Sequence, residues 1–428
     1  MIQNWAREGG IAKPEGHGAE IEPIWNAARR RVRKDRRPSV FLYSHDTYGL
    51  GHLRRNLAIA EHLLNRSPSF SVRLLTGSPV IASWDIPEGL AVTALPPVVK
   101  TGVETYAPRE SSLPFGLVKA YREALILKAV IEEAPDIFLV DHAPAGMNAE
   151  LLSTLAFIRR ELPHTHVVLG MRDILDCPET VRRIWQEQGI IPLLDNLYDR
   201  IFVYGCRELL DVVAGYGIPP HIADRVTYCG YIARPTQRAT ATTGHPRRVL
   251  VTAGGGEDGL FLMEAYLRAL AQLPPGVTQS RIVTGPLMPA PDRAILAGLA
   301  EGRGDVEILR STPDLPSMLA ETDLVVAMGG YNTSVEIVAS GTAAILVPRA
   351  APRAEQRMRA AMLEKMGLVW AVEPGEGLTQ RLAARLEAAL AGQRPIPLPG
   401  GLDLDGAARV AALFDAIVGA DGRALEAS

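Results

Sequence analysis

Short apolar segments alternate with amphipathic segments along most of the chain. In the amphipathic segments, apolar residues recur at the three- to four-residue spacing of a helix face, as at Leu53, Leu57, Ala60 and Leu64. The short apolar runs are typical of buried strands, and strands that alternate with helices predict parallel sheets covered by helices on both faces. The predicted strands are 40–44, 72–75, 91–95, 137–140, 166–169, 201–204, 248–252, 281–284, 306–309, 324–327, 344–347 and 369–372.

The predicted strands fall into two series, which indicate two doubly wound Rossmann-like domains of the α/β class. Between the series, the sequence GYIARPTQRATATTGHPR has no periodic pattern, so residues 231–247 are predicted to be an interdomain linker. The first domain is predicted to span residues 38–230 and the second 248–400. Ligands of such domains bind at the carboxyl ends of the strands. Residues 401–428 are predicted to contain a last helix from about Gly406 to Val418.

Residues 1–37 are predicted to be a basic leader outside the domains. The segment has little periodic hydrophobicity and ends in RRRVRKDRR, residues 29–37. Such a run is most often a solvated helix or tail, and attraction to an anionic membrane surface is the alternative.

Composition excludes several classes of protein. The 428 residues are 47% hydrophobic and 22% charged, which is typical of a globular protein, and the net charge of −3 argues against a nucleic-acid binder. Cys177, Cys206 and Cys229 are dispersed and odd in number, which favours a reduced, cytoplasmic compartment over a disulfide framework and indicates no zinc site. No apolar run has the length of a membrane span.

A glycine turn in the second series is a candidate anion site. Gly329 and Gly330 follow the predicted strand 324–327, and a helix begins after them with Asn332 and Thr333. A helix N-terminus offers unpaired N–H groups and partial positive charge, which suit a phosphate. The alternative is structural: Thr333 and Glu336 have the spacing of a capping box, which would only start the helix.

The continuation of this stretch resembles the nucleotide-binding half of the MurG-like glycosyltransferases, which have the GT-B fold, a family 28 type C-terminal domain and UDP-sugar donors. The resemblance implies two domains that face each other across a cleft, a last helix that crosses back to the first domain, and no metal requirement. The matching residues, in order, are Gly329, Gly330, Thr333, Ser334, Glu336, Gly341, Val347, Pro348, Glu355, Gln356 and Gly367.

A second glycine turn, GGGEDG at residues 254–259, formally fits the G-x-G-x-x-G fingerprint of dinucleotide-binding proteins. The next strand of that unit, however, ends at Thr284 and Gly285 without the acid that would hold a ribose, so binding of NAD is disfavoured. Two glycine turns in one domain better suit a nucleotide diphosphate held between them, as in the resembled family.

The resemblance implies a donor site in the second domain. The ribose is assigned to Glu336, the uracil edge to the backbone of Leu309 and Arg310, and a sugar hydroxyl to Gln356. The family has a Gln pair where this chain has Glu355 and Gln356, so the sugar stays open. The diphosphate is assigned to Gly254, Gly255, Gly256, Gly329, Gly330, Asn332 and Thr333. Arg349 and Arg353 are either solvated surface residues or further cations for the diphosphate.

In the first domain, GLGH at residues 49–52 resembles the family's glycine-rich loop, which ends in a histidine. His52 is therefore predicted to be the base that takes the proton of an attacking hydroxyl, with a structural cap as the alternative. Asp141, which follows the strand 137–140, either orients His52, acts as the base or caps a helix. For Arg54 and Arg55, a surface ion pair is the alternative. The residues predicted to face the acceptor are Tyr48, Gly51, Arg54, Arg55, Arg172 and Asp173.

The prediction is thus an inverting, metal-independent glycosyltransferase that moves a sugar from a UDP-sugar to an acceptor hydroxyl. The predicted enzyme needs no cofactor besides the UDP-sugar as co-substrate. Its predicted localisation is cytoplasmic, or peripheral at the inner face of the membrane. Because the GxGHxxR form of this loop also resembles UDP-sugar hydrolases of the PseG type, the alternative is a nucleotide-sugar hydrolase or epimerase on the same fold. A binding protein without turnover is a third hypothesis. The acceptor and the sugar stay open.

Overall fold

A computed structural model describes residues 37–46, 51–66, 70–102, 105–109, 112–234, 247–312, 315–349 and 353–426. The basic leader up to residue 36, Tyr48 and most of the predicted linker lie outside the described residues. The chain divides into two compact units. The first unit contains the described residues up to Asp173, Pro178–Ile232 and the chain from Asp405 on; the second contains Ile174–Cys177 and Ala233–Leu404.

The first unit is built on a seven-stranded parallel sheet with the order β3-β2-β1-β6-β7-β8-β9, and β4 and β5 form a separate antiparallel hairpin. The strand β1 lies in the middle of the sheet, and all six of its residues are buried, which explains its apolar sequence. The strands are β1 (Ser39–Ser44), β2 (Ser71–Thr76), β3 (Ala91–Ala94), β4 (Val98–Gly102), β5 (Thr105–Pro108), β6 (Ile137–Asp141), β7 (His166–Arg172), β8 (Arg200–Tyr204) and β9 (Val226–Tyr228).

Helices connect these strands, as parallel strands require. Short 3-10 helices lie at Pro79–Ser83 and Met147–Ala149. The α-helices are α1 (Gly51–Leu64), α2 (Phe115–Glu133), α3 (Leu152–Glu161), α4 (Pro178–Gln188), α5 (Ile190–Leu197), α6 (Val212–Tyr216) and α7 (Pro220–Ala223).

The second unit is built on a six-stranded parallel sheet with the order β12-β11-β10-β13-β14-β15. Renumbered from its first strand, this is the order 3-2-1-4-5-6 of a dinucleotide-binding α/β domain. Buried apolar side chains form one core cluster on each face of the sheet. The strands are β10 (Arg247–Thr252), β11 (Thr278–Val283), β12 (Val306–Leu309), β13 (Leu324–Ala327), β14 (Ala343–Leu346) and β15 (Trp370–Ala371).

Helices cover both faces of the sheet of the second unit. The helices of this unit are α8 (Leu260–Leu270), α9 (Ala290–Ala300), α10 (Leu315–Ala320), α11 (Tyr331–Ser340), α12 (Glu355–Lys365) and α13 (Leu378–Leu390). None of the helices that the structure describes is both long and apolar enough to cross a membrane.

The last helix, α14 (Gly406–Glu426), belongs to the first unit, where it packs against α1. Phe414 on this helix is fully buried, and its ring centroid lies 5.8 Å from that of Phe202 in β8. A side chain at Gly406 would lie 2.7 Å from the carbonyl oxygens of Gly230 and Tyr231. Glycine at position 406 therefore allows the helix to begin against the backbone of this segment.

The predicted α/β fold of two doubly wound Rossmann-like domains is confirmed. Every predicted strand is present, with ends that differ from the prediction by no more than about three residues. The hairpin β4–β5 and the short strand β9 were not predicted, and α14 continues to Glu426 rather than ending near Val418.

Candidate functional site

Polar side chains of the first unit gather where the strand order reverses, between β1 and β6. His45 and Asp46 follow β1, Asp141 ends β6, and His142 follows it. His52 is the second residue of α1, the helix that leaves β1. The reversal point of a parallel sheet opens a crevice at the carboxyl ends of its two central strands, which is where such domains bind their ligands.

His52 and Asp141 form a hydrogen-bonded pair at this point. The Nδ1 atom of His52 lies 2.6 Å from Oδ2 of Asp141. An ionised carboxylate only accepts hydrogen bonds, so the shorter contact assigns a proton to Nδ1, although Nη2 of Arg55 also lies 3.0 Å from this atom. In a neutral imidazole with its proton on Nδ1, the lone pair is on Nε2. The side chain of His52 is 14% exposed, whereas Asp141 is buried. The pair thus has the arrangement of a base held by an orienting carboxylate.

Arg55 holds the same carboxylate from the other side. Its Nε and Nη2 atoms donate to Oδ1 of Asp141 at 3.0 and 2.8 Å, and Nη2 also lies 2.8 Å from Oδ2. The guanidinium carbon lies 5.4 Å from the ring centroid of Tyr204. Arg55 thus forms an ion pair, which is the alternative predicted for it, although the pair is buried and not at the surface. These bonds hold the carboxylate of Asp141 in place.

The charge of Asp141 is fixed by these neighbours. Burial alone would raise the pKa of its carboxyl group, but the charges of Arg55 and His52 outweigh burial and lower the pKa to about 2. Asp141 is therefore ionised at neutral pH. An ionised carboxylate of so low a pKa is a poor proton acceptor, and among the predicted alternatives this favours Asp141 as the group that orients His52.

Two further histidines, which the sequence did not single out, surround His52. The ring centroid of His142 lies 5.3 Å from that of His52, and the centroid of His45 lies 5.7 Å from it. Burial, with the charge of Arg172, lowers the pKa of His142 well below its usual range, so its imidazole is neutral at pH 7. His142 also has a φ of 71°, a left-handed conformation that is strained for a non-glycine residue and recurs at functional sites.

Asp46 is a buried carboxyl group beside this cluster that sequence analysis also missed. It accepts a hydrogen bond from the hydroxyl of Thr76, and burial raises its pKa. The signal for both His45 and Asp46 was their position, because polar residues directly after a central buried strand lie at the ligand-binding edge of the sheet.

Asp173 does not face an acceptor. It is fully buried, it accepts a hydrogen bond from the hydroxyl of Tyr231, and its backbone carbonyl accepts one from Tyr216. The sequence prediction for this residue is wrong, because a carboxylate at a strand end can equally serve to tie two segments of the core together.

The other residues that were predicted to face the acceptor have the following surroundings. The guanidinium carbon of Arg54 lies 5.7 Å from the ring centroid of Trp84, and Gly51 is the first residue of α1. Nη2 of Arg172 lies 3.5 Å from Nε2 of His142, next to the histidine cluster. Tyr48 lies outside the described residues. An acceptor-side role for Arg54, Arg172 and Gly51 stays a prediction.

In the second unit, both glycine turns lie where the strand order reverses, one after β10 and the other after β13. Gly256, with a φ of 90°, lies so close to the loop after β11 that an added Cβ would be 1.9 Å from the carbonyl oxygen of Thr284. A Cβ on Gly285 would in turn be 2.4 Å from the carbonyl oxygen of Gly255. Two backbones pack directly on each other here. Gly254, in contrast, has open space around it.

The turn after β13 leads directly into α11. Gly330 is the N-cap of this helix, and no side chain caps it. The helix therefore begins at Tyr331, two residues before Thr333, and the predicted capping box of Thr333 and Glu336 is wrong. The N–H group of Gly330 donates no hydrogen bond to any residue that the structure describes. Asn332 and Thr333 lie in the first turn, and Glu336 is buried in the second.

The other predicted donor residues border these turns. Leu309 ends β12, and its carbonyl oxygen accepts a hydrogen bond of 2.9 Å from the N–H of Thr284, while the side chain of Arg310 is exposed. Gln356 is buried at the start of α12, and its Oε1 accepts a hydrogen bond of 3.2 Å from the N–H of Arg349. Contacts of these residues with a nucleotide sugar stay predictions.

Arg349 is neither a solvated residue nor an unpaired cation. Its Nη1 lies 3.0 Å from Oδ2 of Asp258, in the first glycine loop, and its Nη2 lies 2.8 Å from Oε1 of Glu355, at the start of α12. The guanidinium thus ties the loop after β10 to the helix after β14, and two carboxylates balance its charge.

Arg359 is a buried cation of this unit that sequence analysis did not single out. Only 2% of the residue is exposed, and Nη1 donates to the carbonyl oxygen of Gly329 at 3.1 Å. Its guanidinium carbon lies 5.5 Å from the ring centroid of Tyr331. Arg359 is therefore in direct contact with the glycine turn. Among the residues described, no group of three or more histidine, cysteine or acidic side chains could hold a metal ion.

Comparison with known sequences agrees with this description. Residues 248–395 match the model of the glycosyltransferase family 28 C-terminal domain. A UDP-N-acetylglucosamine–N-acetylmuramyl-(pentapeptide) pyrophosphoryl-undecaprenol N-acetylglucosamine transferase from Janthinobacterium sp. (strain Marseille) is 34% identical over 154 residues, 36% of this chain and 42% of the relative. The enzyme of the same name from Solidesulfovibrio magneticus is 25% identical over 338 residues, 75% of this chain and 81% of the relative. The chain thus spans less than half the length of the Janthinobacterium relative.

Solved structures share the fold over most of the chain. MurG from Acinetobacter baumannii has a TM-score of 0.51 and 14% identity, over 89% of this chain and 99% of that one. A putative UDP-N-acetylglucosamine 2-epimerase from Listeria monocytogenes has a TM-score of 0.59 and 15% identity, over 89% and 96%. At these identities the likeness shows the fold alone. Residues 248–395 thus match a glycosyltransferase family 28 C-terminal domain, and the chain has the GT-B fold and is similar to MurG proteins.

Proposed function

We propose that this protein is an inverting, metal-independent glycosyltransferase that moves a sugar from a UDP-sugar to an acceptor hydroxyl. The observation that carries the proposal is the pair of His52 and Asp141, joined at 2.6 Å where the first sheet reverses its strand order. The family 28 domain supports a nucleotide-sugar donor. The names of the relatives make UDP-N-acetylglucosamine the first donor to test and a lipid-linked sugar the first acceptor.

In the proposed reaction, Nε2 of His52 takes the proton of the acceptor hydroxyl as its oxygen attacks the anomeric carbon of the donor. The bond from that carbon to the diphosphate breaks on the opposite side, so the configuration at the carbon is inverted and UDP leaves. The imidazolium that forms is stabilised by the ionised Asp141, which Arg55 holds in place.

The second unit supports the leaving group in this proposal. As the bond breaks, negative charge develops on the diphosphate, and the N–H groups at the start of α11 carry the positive end of the helix dipole. Glu336 would accept hydrogen bonds from the ribose, the backbone of Leu309 and Arg310 would contact the uracil, and Gln356 would contact the sugar. Backbone dipoles would thus do the work that a metal ion does in other transferases.

A hydrolase or epimerase on the same fold is the second candidate, because the GxGHxxR form of the loop that contains His52 also resembles UDP-sugar hydrolases of the PseG type. In a hydrolase, water would take the place of the acceptor and lose its proton to His52. An epimerase would return an altered UDP-sugar.

The experiment that separates these functions measures both products. The full-length protein is first titrated by calorimetry with UDP, ADP, GDP, dTDP and UDP-sugars, and then incubated with each ligand that binds. Release of UDP only in the presence of an acceptor supports the transferase. Release of UDP and free sugar without an acceptor supports the hydrolase, and a changed UDP-sugar supports the epimerase. Binding without any product would favour a binding protein.

We also propose that the protein meets its acceptor at a membrane surface. The basic run 29–37 would attract the protein to anionic lipids, at about 1 kcal/mol for each cation near the surface. We expect the full-length protein to sediment with vesicles that contain phosphatidylserine and not with neutral vesicles, and a variant that lacks residues 1–37 to stay in the supernatant. No sedimentation of the full-length protein would contradict this part of the proposal.

A further inference from the structure

Arg359 lies underneath the turn that leads into α11. It stands on α12, is 2% exposed, and donates from Nη1 to the carbonyl oxygen of Gly329 at 3.1 Å. Its Nη2 donates to the carbonyl oxygen of Ile174 at 3.4 Å, and Ile174 belongs to the short segment Ile174–Cys177 that is part of the second unit. Both polar contacts are with carbonyl groups, which are uncharged.

No described carboxylate pairs with this buried guanidinium, and its Nε atom has no hydrogen-bond partner among the described residues. The buried Arg55 and the half-buried Arg349 differ in this respect, because Arg55 is paired with Asp141 and Arg349 with Asp258 and Glu355. A buried charge without a counter-charge is costly, so its presence indicates that an anion binds nearby when the protein works.

The contact with Gly329 also fixes the direction of a donor. In a trans peptide the C=O and N–H groups point to opposite sides, so a Gly329 carbonyl held by Arg359 directs the N–H of Gly330 away from Arg359. That N–H donates to no described residue, and Gly330 has open space around it, since an added Cβ would meet no atom within 4 Å. Gly330 is the N-cap of the ten-residue helix α11, whose dipole places partial positive charge at the same point.

We propose that Arg359 is a positioning residue for the diphosphate of a nucleoside-diphosphate ligand. It holds the peptide between Gly329 and Gly330 with the N–H directed at the phosphate, and the negative charge of the diphosphate balances the charge of the guanidinium. The inference rests on the proposed function, since it requires a diphosphate ligand. It predicts that the contribution of Arg359 to affinity grows with the number of phosphates on the ligand.

The test compares Arg359→Gln and Arg359→Lys with the parent, in the full-length protein, by calorimetry with uridine, UMP and UDP. Arg357→Gln is the matched control, because Arg357 lies on the same helix but is exposed and paired with Glu373. For Arg359→Gln we expect affinity for UDP to fall about 10- to 100-fold, which is the loss of one charged hydrogen-bonding group. Affinity for uridine should stay within about threefold of the parent, with UMP in between.

Arg359→Lys keeps the positive charge but lacks the planar guanidinium that donates to the carbonyl oxygen of Gly329. The lysine variant should therefore recover part of the affinity for UDP, and it should fold even if the glutamine variant does not. Circular dichroism establishes that each variant is folded. A parent protein that binds none of UDP, ADP, GDP and dTDP would overturn the proposed function and this inference with it. A parent that binds UDP and an Arg359→Gln variant that binds it equally well would overturn this inference alone. An equal loss of affinity for uridine and UDP would also overturn it, because Arg359 would then support the whole unit.

Discussion

The two units have the same kind of sheet, but their candidate sites are made of different groups. In the first unit, the point where the strand order reverses is surrounded by titratable side chains, with His52, Asp141 and Arg55 bonded to one another. In the second unit, the same point is lined by glycines and by the N–H groups of a helix start, as at Gly256 and Gly330. In the proposed function, one topology thus serves proton transfer in one unit and anion binding in the other.

The difference follows from what each task needs. A base must lose and gain a proton, so it needs a side chain whose protonation is set by its neighbours, and Asp141 supplies that control. A diphosphate is always charged, and fixed backbone dipoles can bind it without changing their own state. Substitutions in the first unit should therefore change turnover and pH dependence, and those in the second should change ligand affinity.

The largest effect is expected from His52→Ala. Because a base acts mainly in the transition state, turnover should fall about 100- to 10,000-fold while affinity for UDP stays within a few-fold. Steady-state kinetics and calorimetry on the same protein provide both numbers. His62→Ala is the control, since His62 lies on the same helix and its Nδ1 contacts the carbonyl oxygen of Ala58.

Activity of His52→Ala within about threefold of the parent would contradict this assignment. A folded His52→Ala variant that no longer binds UDP would break the comparison itself, because His52 would then contact the donor.

Asp141→Asn should destabilise the first unit strongly. The substitution removes one partner of the buried ion pair of Arg55 and Asp141, and breaking such a pair costs about 3–5 kcal/mol of the free energy of unfolding. Urea denaturation at pH 7 measures the change, with Asp292→Asn as the control because Asp292 lies in the first turn of α9. A change below about 1 kcal/mol would mean that water reaches Arg55 and replaces its partner.

The stability of the parent should also depend on Asp141 as the pH falls. Because the pKa of Asp141 is lowered to about 2 from an ordinary value of 3.8, the stabilisation is complete above about pH 5 and is lost as the pH falls toward 2. The Asn variant should lack this part of the pH dependence.

Glu336→Ala should change affinity instead of turnover chemistry. If Glu336 accepts a charged hydrogen bond from the ribose, affinity for UDP should fall by about 1–3 kcal/mol. Calorimetry measures the affinity, and thermal denaturation shows whether the variant is folded. Unchanged affinity would remove Glu336 from the donor site.

The smallest effect is expected from His142→Asn, a substitution that tolerates the left-handed backbone at this position. Burial lowers the pKa of His142, so below pH 6.5 the unfolded chain binds a proton that the folded protein does not, and stability falls with pH. This group alone contributes at most about 1.4 kcal/mol per pH unit. The Asn variant should have a flatter stability profile between pH 7 and 5, and an unchanged profile would contradict the neutral imidazole.

Much of the fold could be predicted because a buried parallel strand appears in the sequence as a short apolar run. The pairing of His52 with Asp141 could also be anticipated, since both follow central strands that end at one edge of a sheet. The directions in which the side chains point could not be predicted. Arg55 and Asp173 are charged residues at that edge, and only the structure shows that they turn into the core.

Buried charges in general are hidden from sequence patterns. Arg122 and Glu150 are both fully buried and paired at 2.7 Å, yet they lie 28 positions apart in the sequence. Arg359 is a similar case, because nothing in the spacing around it distinguishes it from its exposed neighbour Arg357. Its contact with Gly329 depends on tertiary structure, which the sequence does not display.

The return of α14 to the first unit has a consequence for synthesis of the protein on the ribosome. Domains usually fold in the order in which they emerge. Here the second unit has all of its residues once Leu404 has left the exit tunnel, whereas the first unit still lacks Phe414, the partner of Phe202. The unit that is translated first is therefore completed last. A premature stop codon just after Leu404 would leave the second unit with all of its residues and expose apolar surface on the unit that was made earlier.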